Sequence, residues 1–131
     1  MEFNQNIFFD GQIYDAYIFV NDLIKFAKSE IVLIDNYIDD TVFTLFSKYP
    51  NINFTIYTST ISKQLKLDFE KYSKQYKNIS LKTFKSSHDR FLIIDKKEIY
   101  HLGASLKDLG KKWFAFSKMS FDIDLIFNRL K

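Results

Sequence analysis

The chain of 131 residues is predicted to fold as a single α/β domain, a mixed, largely parallel central sheet with helices on both faces. Three observations predict this class. Segments with helical spacing alternate with short apolar β-branched runs as far as residue 85, which implies right-handed crossovers between parallel strands. After residue 85 two strand-like runs follow each other across a tight turn, so the sheet becomes mixed there. The composition is 47% apolar and 18% aromatic with three Gly and one Pro, which excludes a disordered or low-complexity chain. The length suits one core and not two, whether the 131 residues are a whole protein or a portion of a larger one.

The elements follow in order. From Ile13 to Lys28, the residues Ile13, Tyr17, Val20, Ile24 and Ala27 recur at three- and four-residue steps, with Asp15 placed favourably in the first turn of the helix. Glu30 to Asp35 is a short β-branched run suited to a strand buried on both faces. A second helix is expected from Asp39 to Tyr49, burying Val42, Leu45, Phe46 and Tyr49, with Pro50 closing it. Ile52 to Ser59 reads as a strand. Ser62 is placed to cap a third helix whose Leu65, Phe69, Tyr72 and Tyr76 keep the helical step. Ile79 to Phe84 alternates apolar and polar residues, as a half-exposed strand does. "RFLIID" and "EIYHLG" form a hairpin around Lys96 and Lys97. A short helix from Leu106, a strand "WFAFSK" and a closing helix from about Asp122 complete the chain.

Composition also bounds function. With no cysteine and two histidines, disulfides and thiolate metal sites are excluded, and a zinc centre would rest mostly on carboxylates. No metal and no cofactor are expected. No apolar run reaches the roughly 18 residues of a membrane span, and the N-terminus lacks the basic-then-apolar order of a signal peptide. The expected setting is therefore cytoplasmic, with no membrane partner. A net charge of +3 is compatible with a polyanionic partner without requiring one.

The stretch "SSHDRFLIIDKKEIYHLGAS", residues 86–105, carries the chemistry. Strand alternation places Arg90, Leu92 and Ile94 on one face, and His88, two residues before Arg90, on the same side. An imidazole can serve as nucleophile or proton donor near neutral pH, and a guanidinium fork matches the oxygens of a phosphate. Gly103, Ala104 and Ser105 return beside them at the end of the partner strand, where a hydroxyl could bond a phosphate oxygen. The same residues are also readable as a polar loop, an edge charge and an ordinary turn, so spacing alone leaves both readings open.

His88, Arg90 and Asp95, with Gly103 and Ser105 downstream, resemble the HxKxxxxD signature of the phospholipase D superfamily. The amphipathic first helix, "IVLIDNYIDD" and "FTIYTS" are similar to that family's framework as well. The resemblance implies a phospholipase D-like fold and a metal-independent, two-step attack on a phosphodiester through a phosphohistidine. It implies His88 as nucleophile, with Arg90 as phosphate clamp and Ser105 as a phosphate contact; Asp95 is assigned mainly to local structure, holding the turn or backbone. One motif is half a site, so the resemblance also implies a homodimer acting on nucleic acid, with DNA preferred, since the family's lipases usually carry both motifs in one longer chain. The segments "HDRFLIID" and "GASLKDLGKKWFAFSK" are further similar to C-terminal portions of larger bacterial and phage-associated DNA-binding proteins, an association with mobile elements.

Three positions depart from the family pattern. Arg90 replaces the usual lysine, "GASLKD" sets Ser105 one place late with Asp108 as the nearest polar substitute for the amide, and "KKWFAF" lacks the carboxylate that orients the histidine. Asp89, Asp108 and Asp122 are the candidates for that last role. These departures keep a rival reading in view: a degenerate, non-catalytic module that binds nucleic acid or oligomerises.

Lys107, Lys111 and Lys112 form a basic cluster past Ser105 that, with Asp108, is the candidate substrate-binding segment. Trp113 and Phe114 are expected in the core, and His101 is expected to be structural. Asp35, Asp39 and Asp40 could be a carboxylate trio for magnesium, but Asp39 or Asp40 is better read as a helix cap.

Overall fold

A computed structural model describes residues 5–9, 11–109, 111, 113–120 and 122–130. In chain order the elements are β1 (Gln5–Phe8), α1 (Ile13–Phe26), β2 (Glu30–Ile34), α2 (Asp40–Ser47), β3 (Asn53–Thr58), α3 (Lys63–Ser73), β4 (Ile79–Thr83), β5 (Arg90–Ile94), β6 (Glu98–Leu102), a 3-10 turn at Leu106–Asp108, β7 (Phe114–Met119) and α4 (Asp124–Phe127). The strands form one seven-stranded sheet in the order β1-β7-β6-β5-β2-β3-β4.

The sheet is mixed, as expected, but its parallel part is confined to β2, β3 and β4. The remaining pairings, β2 with β5, β5 with β6, β6 with β7 and β7 with β1, are antiparallel. Helices lie on both faces, unevenly. The crossovers β2–α2–β3 and β3–α3–β4 step in the same direction across the sheet, and a common hand puts both helices on one side. There α1, α2 and α3 share the main core with Ile31, Leu33, Phe54, Ile56, Leu92 and Leu102. Phe46 stacks on Phe54 at 3.9 Å and Phe19 on Phe116 at 3.8 Å. On the other face α4 covers a smaller cluster of Val32, Ile34, Ile93 and Ile99.

Local chemistry sets the helix limits. Asp39 caps α2 by accepting the Thr41 N–H at 3.0 Å, and the Ser62 hydroxyl caps α3 by accepting the Leu65 N–H at 3.1 Å. In α1 the buried apolar residues are Ala16, Phe19, Val20, Leu23 and Ile24, while Ile13, expected in the buried face, is exposed in the first turn. β1 was not expected. Its four residues carry little strand signal of their own and become a strand by pairing with β7, Phe8 opposite Phe114. Trp113 corrects a core assignment: Phe114 is fully buried, but Trp113, just outside the strand, is 62% exposed and meets Phe9 edge-on at 4.7 Å.

Asp95 locks the sheet to the start of β2. Its φ of 53° and that of Lys96, 56°, are left-handed, a turn geometry closed by the Lys97 N–H donating to the Ile94 carbonyl at 3.0 Å. One Asp95 oxygen accepts from the N–H groups of Ser29 and Glu30 and from the Ser29 hydroxyl, and the other accepts from the Lys28 N–H. Partial burial alone would push this carboxyl up, but the hydrogen bonds from Glu30, Lys28 and Ser29 outweigh it and hold the pKa at about 2. These bonds tie the β5–β6 turn to the start of β2.

Candidate active site

The antiparallel register of β2 and β5 pairs Ile34 with Phe91, so Asp35, one residue beyond β2, comes opposite Arg90. Arg90 pairs in turn with Leu102 of β6. Three strand ends thus bring the Asp35 and Arg90 side chains, on the face that α1, α2 and α3 cover, next to the Gly103 carbonyl.

Arg90 donates through an Nη to the Gly103 carbonyl at 3.0 Å. Gly103 packs closely here: a Cβ would meet the Ala115 carbonyl oxygen at 3.1 Å, and the Gly103 N–H donates to that same oxygen at 2.7 Å. Asp35 is fully buried. One of its oxygens accepts from the Tyr37 N–H at 3.0 Å, and the other accepts from the Ser105 hydroxyl at 2.8 Å and the Leu106 N–H at 3.0 Å. Burial pushes the Asp35 carboxyl above its ordinary range, while the Tyr37 and Leu106 N–H groups, the Ser105 hydroxyl and the Arg90 charge pull the other way.

Ser105 is therefore brought into the site, but its hydroxyl faces inward and is only 3% exposed. It also starts the 3-10 turn, accepting the Lys107 N–H at 3.3 Å. The serine and Asp35 together fix where the segment 105–109 sits.

His88 is exposed and lies in the loop before β5, which starts at Arg90, so strand alternation does not by itself set the direction of its ring. The loop is held from beneath. The Asn36 amide donates to the Ser87 carbonyl at 2.7 Å, and the Ser87 hydroxyl donates to the Asp89 carbonyl at 2.9 Å. None of the three candidate orienting carboxylates is shown on His88. Asp89 lies 3.6 Å from His101 Nε2, Asp122 accepts the Asp124 N–H, and Asp108 sits in the 3-10 turn. His101 is thus on the face opposite Arg90, against Phe91. Asn36 Oδ1 and Arg90 Nε are buried without a hydrogen-bond partner among the described residues, in a site whose other buried groups are satisfied.

Lys107 lies with its ammonium 6.0 Å from the Tyr37 ring, and Lys111 is exposed. Lys112 falls outside the described residues. The proposed magnesium trio does not converge: Asp35 holds Ser105, Asp39 caps α2, and no group of three or more His, Asp or Glu side chains suited to a metal ion occurs among the described residues.

No protein-family model and no curated protein matches the chain. Solved structures do. NucT from Helicobacter pylori matches with a TM-score of 0.63 at 15% identity, over 97% of this chain and 91% of its own. The archaeal chromatin protein TrmBL2, described as showing a novel mode of DNA binding, matches with a TM-score of 0.60 at 14% identity. Polyphosphate kinase from Porphyromonas gingivalis matches with a TM-score of 0.54 at 10% identity. The chain shares its fold with NucT.

The chain spans nearly all of NucT but 47% of TrmBL2 and 22% of the polyphosphate kinase. Sequence reasoning set Asp35 in a possible carboxylate trio and missed its place beside Arg90 and Ser105. Its signal was an acid ending an apolar run, which reads as a strand boundary until the β2–β5 register sets it opposite Arg90. No helix among the described residues is long and apolar enough to cross a membrane.

Proposed function

We propose that this domain engages the phosphodiester backbone of nucleic acid, DNA by preference, at the rim formed by His88 and Arg90. It cleaves that backbone without a metal when two copies pair. The observation that carries the reading is an exposed histidine on a braced loop, two residues before an arginine anchored on Gly103, within a fold shared end to end with the nuclease NucT.

In this reading a His88 ring nitrogen attacks phosphorus and forms a P–N bond as the P–O bond to the leaving group breaks. His88 of the second copy gives its proton to that oxygen. The same imidazole then takes a proton from water, whose oxygen attacks phosphorus and breaks the P–N bond. Arg90 faces the charge that develops on the phosphoryl oxygens. Ser105 and Asp35 act beneath it as positioning residues. Lys107, Lys111 and Lys112 neutralise neighbouring phosphates, and Asp108 lies among them. The exposed Trp113, two positions after Lys111 in the sequence, offers a ring for stacking.

A second reading, a binding module without catalysis, is favoured by the commitment of Arg90 to Gly103 next to the Asp35 carboxylate, and by the want of a shown partner for the His88 ring among the described residues. Incubation with single- and double-stranded DNA in EDTA separates the two. Cleavage that His88→Ala abolishes is the expected result; binding without cleavage supports the module.

A further inference from the structure

Behind the His88 loop, on the face that α4 covers, lies a cavity of about 510 Å³. Its apolar walls are Ile34, Phe84, Phe91 and Ile126, and its polar groups include Ser87 and Arg129. We infer that this cavity seats an unstacked nucleobase next to the phosphate held at the rim, an inference that rests on the proposed function.

Continuity with the candidate site is the first support. Ser87 directly precedes His88, and Phe91 directly follows Arg90. Successive strand residues face opposite sides, so Arg90 looks toward the α1–α3 face and Phe91 into the cavity. A nucleotide straddling the rim then presents its phosphate to one face and its base to the other. The lining is the second support. Phe84 is braced edge-on by Tyr57, with ring centroids 6.3 Å apart, and two phenyl walls suit a flat, weakly polar ring. Ser87 still has acceptor capacity beyond the bond it donates to Asp89, and Arg129 is steadied by its bond to the Leu125 carbonyl at 2.6 Å. Few polar groups on apolar walls, in a volume of this order, is the usual make-up of a small-ligand cleft. Charge is the third. Arg129 at the cavity and Lys85 just before the loop favour an anionic strand over an apolar peptide.

The test measures binding to the wild-type protein, by fluorescence anisotropy in EDTA, of an oligothymidylate and of an abasic strand of equal length, both phosphorothioate-linked to suppress cleavage. The expected result is about tenfold tighter binding of the oligothymidylate, with Phe84→Leu and Arg129→Ala each shrinking that ratio toward one while abasic affinity holds. Phe84→Leu keeps an apolar wall and removes only the ring, so folding, checked by circular dichroism, is retained. Equal affinity for the two strands overturns the inference and leaves the proposed function standing. Failure to bind either strand overturns both. A Phe84→Leu variant that loses self-association while base preference is unchanged assigns the cavity to a second copy and also overturns the inference.

Discussion

The Ser105 hydroxyl donates to the Asp35 carboxylate at 2.8 Å, joining residues 70 positions apart in the chain. Both are buried, and the bond ties the end of β2 to the segment that follows β6. Ser105→Ala should cost about 1–2 kcal/mol of stability by denaturant unfolding, because Asp35 loses one of its donors and keeps two. Asp35→Ala should cost more, about 3 kcal/mol or above, since it strands the hydroxyl and the Tyr37 and Leu106 N–H groups together. A Ser105→Ala protein of unchanged stability that bound phosphate poorly would instead make the serine a direct substrate contact.

The two structural aspartates should pull the acid stability curve in opposite directions. Asp95 is held down at about 2, so its contribution is complete above the ordinary carboxylate value and is lost as pH falls toward about 2. Asp35 is held up by burial, so its contribution is present at low pH and is lost as pH rises through its raised value. Urea unfolding from pH 2 to 7 reads both. Asp95→Asn should flatten the acid limb and cost on the order of 1–2 kcal/mol at pH 7 after allowance for solvent screening. Asp35→Asn should remove the loss on the upper side while lowering stability throughout.

Gly103→Ala should disturb the rim through the backbone. The added methyl meets the Ala115 carbonyl, so β6 and β7 must part by a few tenths of an ångström and carry the Arg90 acceptor with them. A destabilisation of about 1–3 kcal/mol is expected, with phosphate binding weakened beyond that loss. Melting curves and anisotropy on the same samples check it.

The two rim residues should behave differently from these. His88 is exposed, so His88→Ala should leave the melting temperature within about 1–2 °C and remove cleavage. Arg90→Ala should lower both binding and stability, because the Gly103 carbonyl loses its donor. Arg90→Lys keeps the charge and should restore part of the binding. A His88→Ala protein that cleaves at the wild-type rate would remove the histidine from the mechanism.

Much of this was legible in the residues. Helical spacing, the cap at Ser62, a cap at Asp39 or Asp40, and the hairpin after Arg90 are local signals, and the structure agrees with them, with Asp39 the cap. What escaped depends on pairing. β1 becomes a strand only because β7 lies beside it. Trp113 was read as core because aromatic character does not say on which side of the strand end a ring falls. Asp35 became central only when register set it opposite Arg90 and folding brought Ser105 onto it. His88 and Arg90 were picked out by spacing and resemblance, and neither could reveal that the guanidinium leans on Gly103.

The central claim is that one phosphodiester site is built from His88 of two copies. The most direct measurement mixes wild-type and His88→Ala protein to exchange equilibrium at fixed total concentration and follows cleavage of DNA in EDTA. A shared site requires two intact histidines, so activity should fall as the square of the wild-type fraction. A linear fall, or no cleavage at any ratio, would contradict the account.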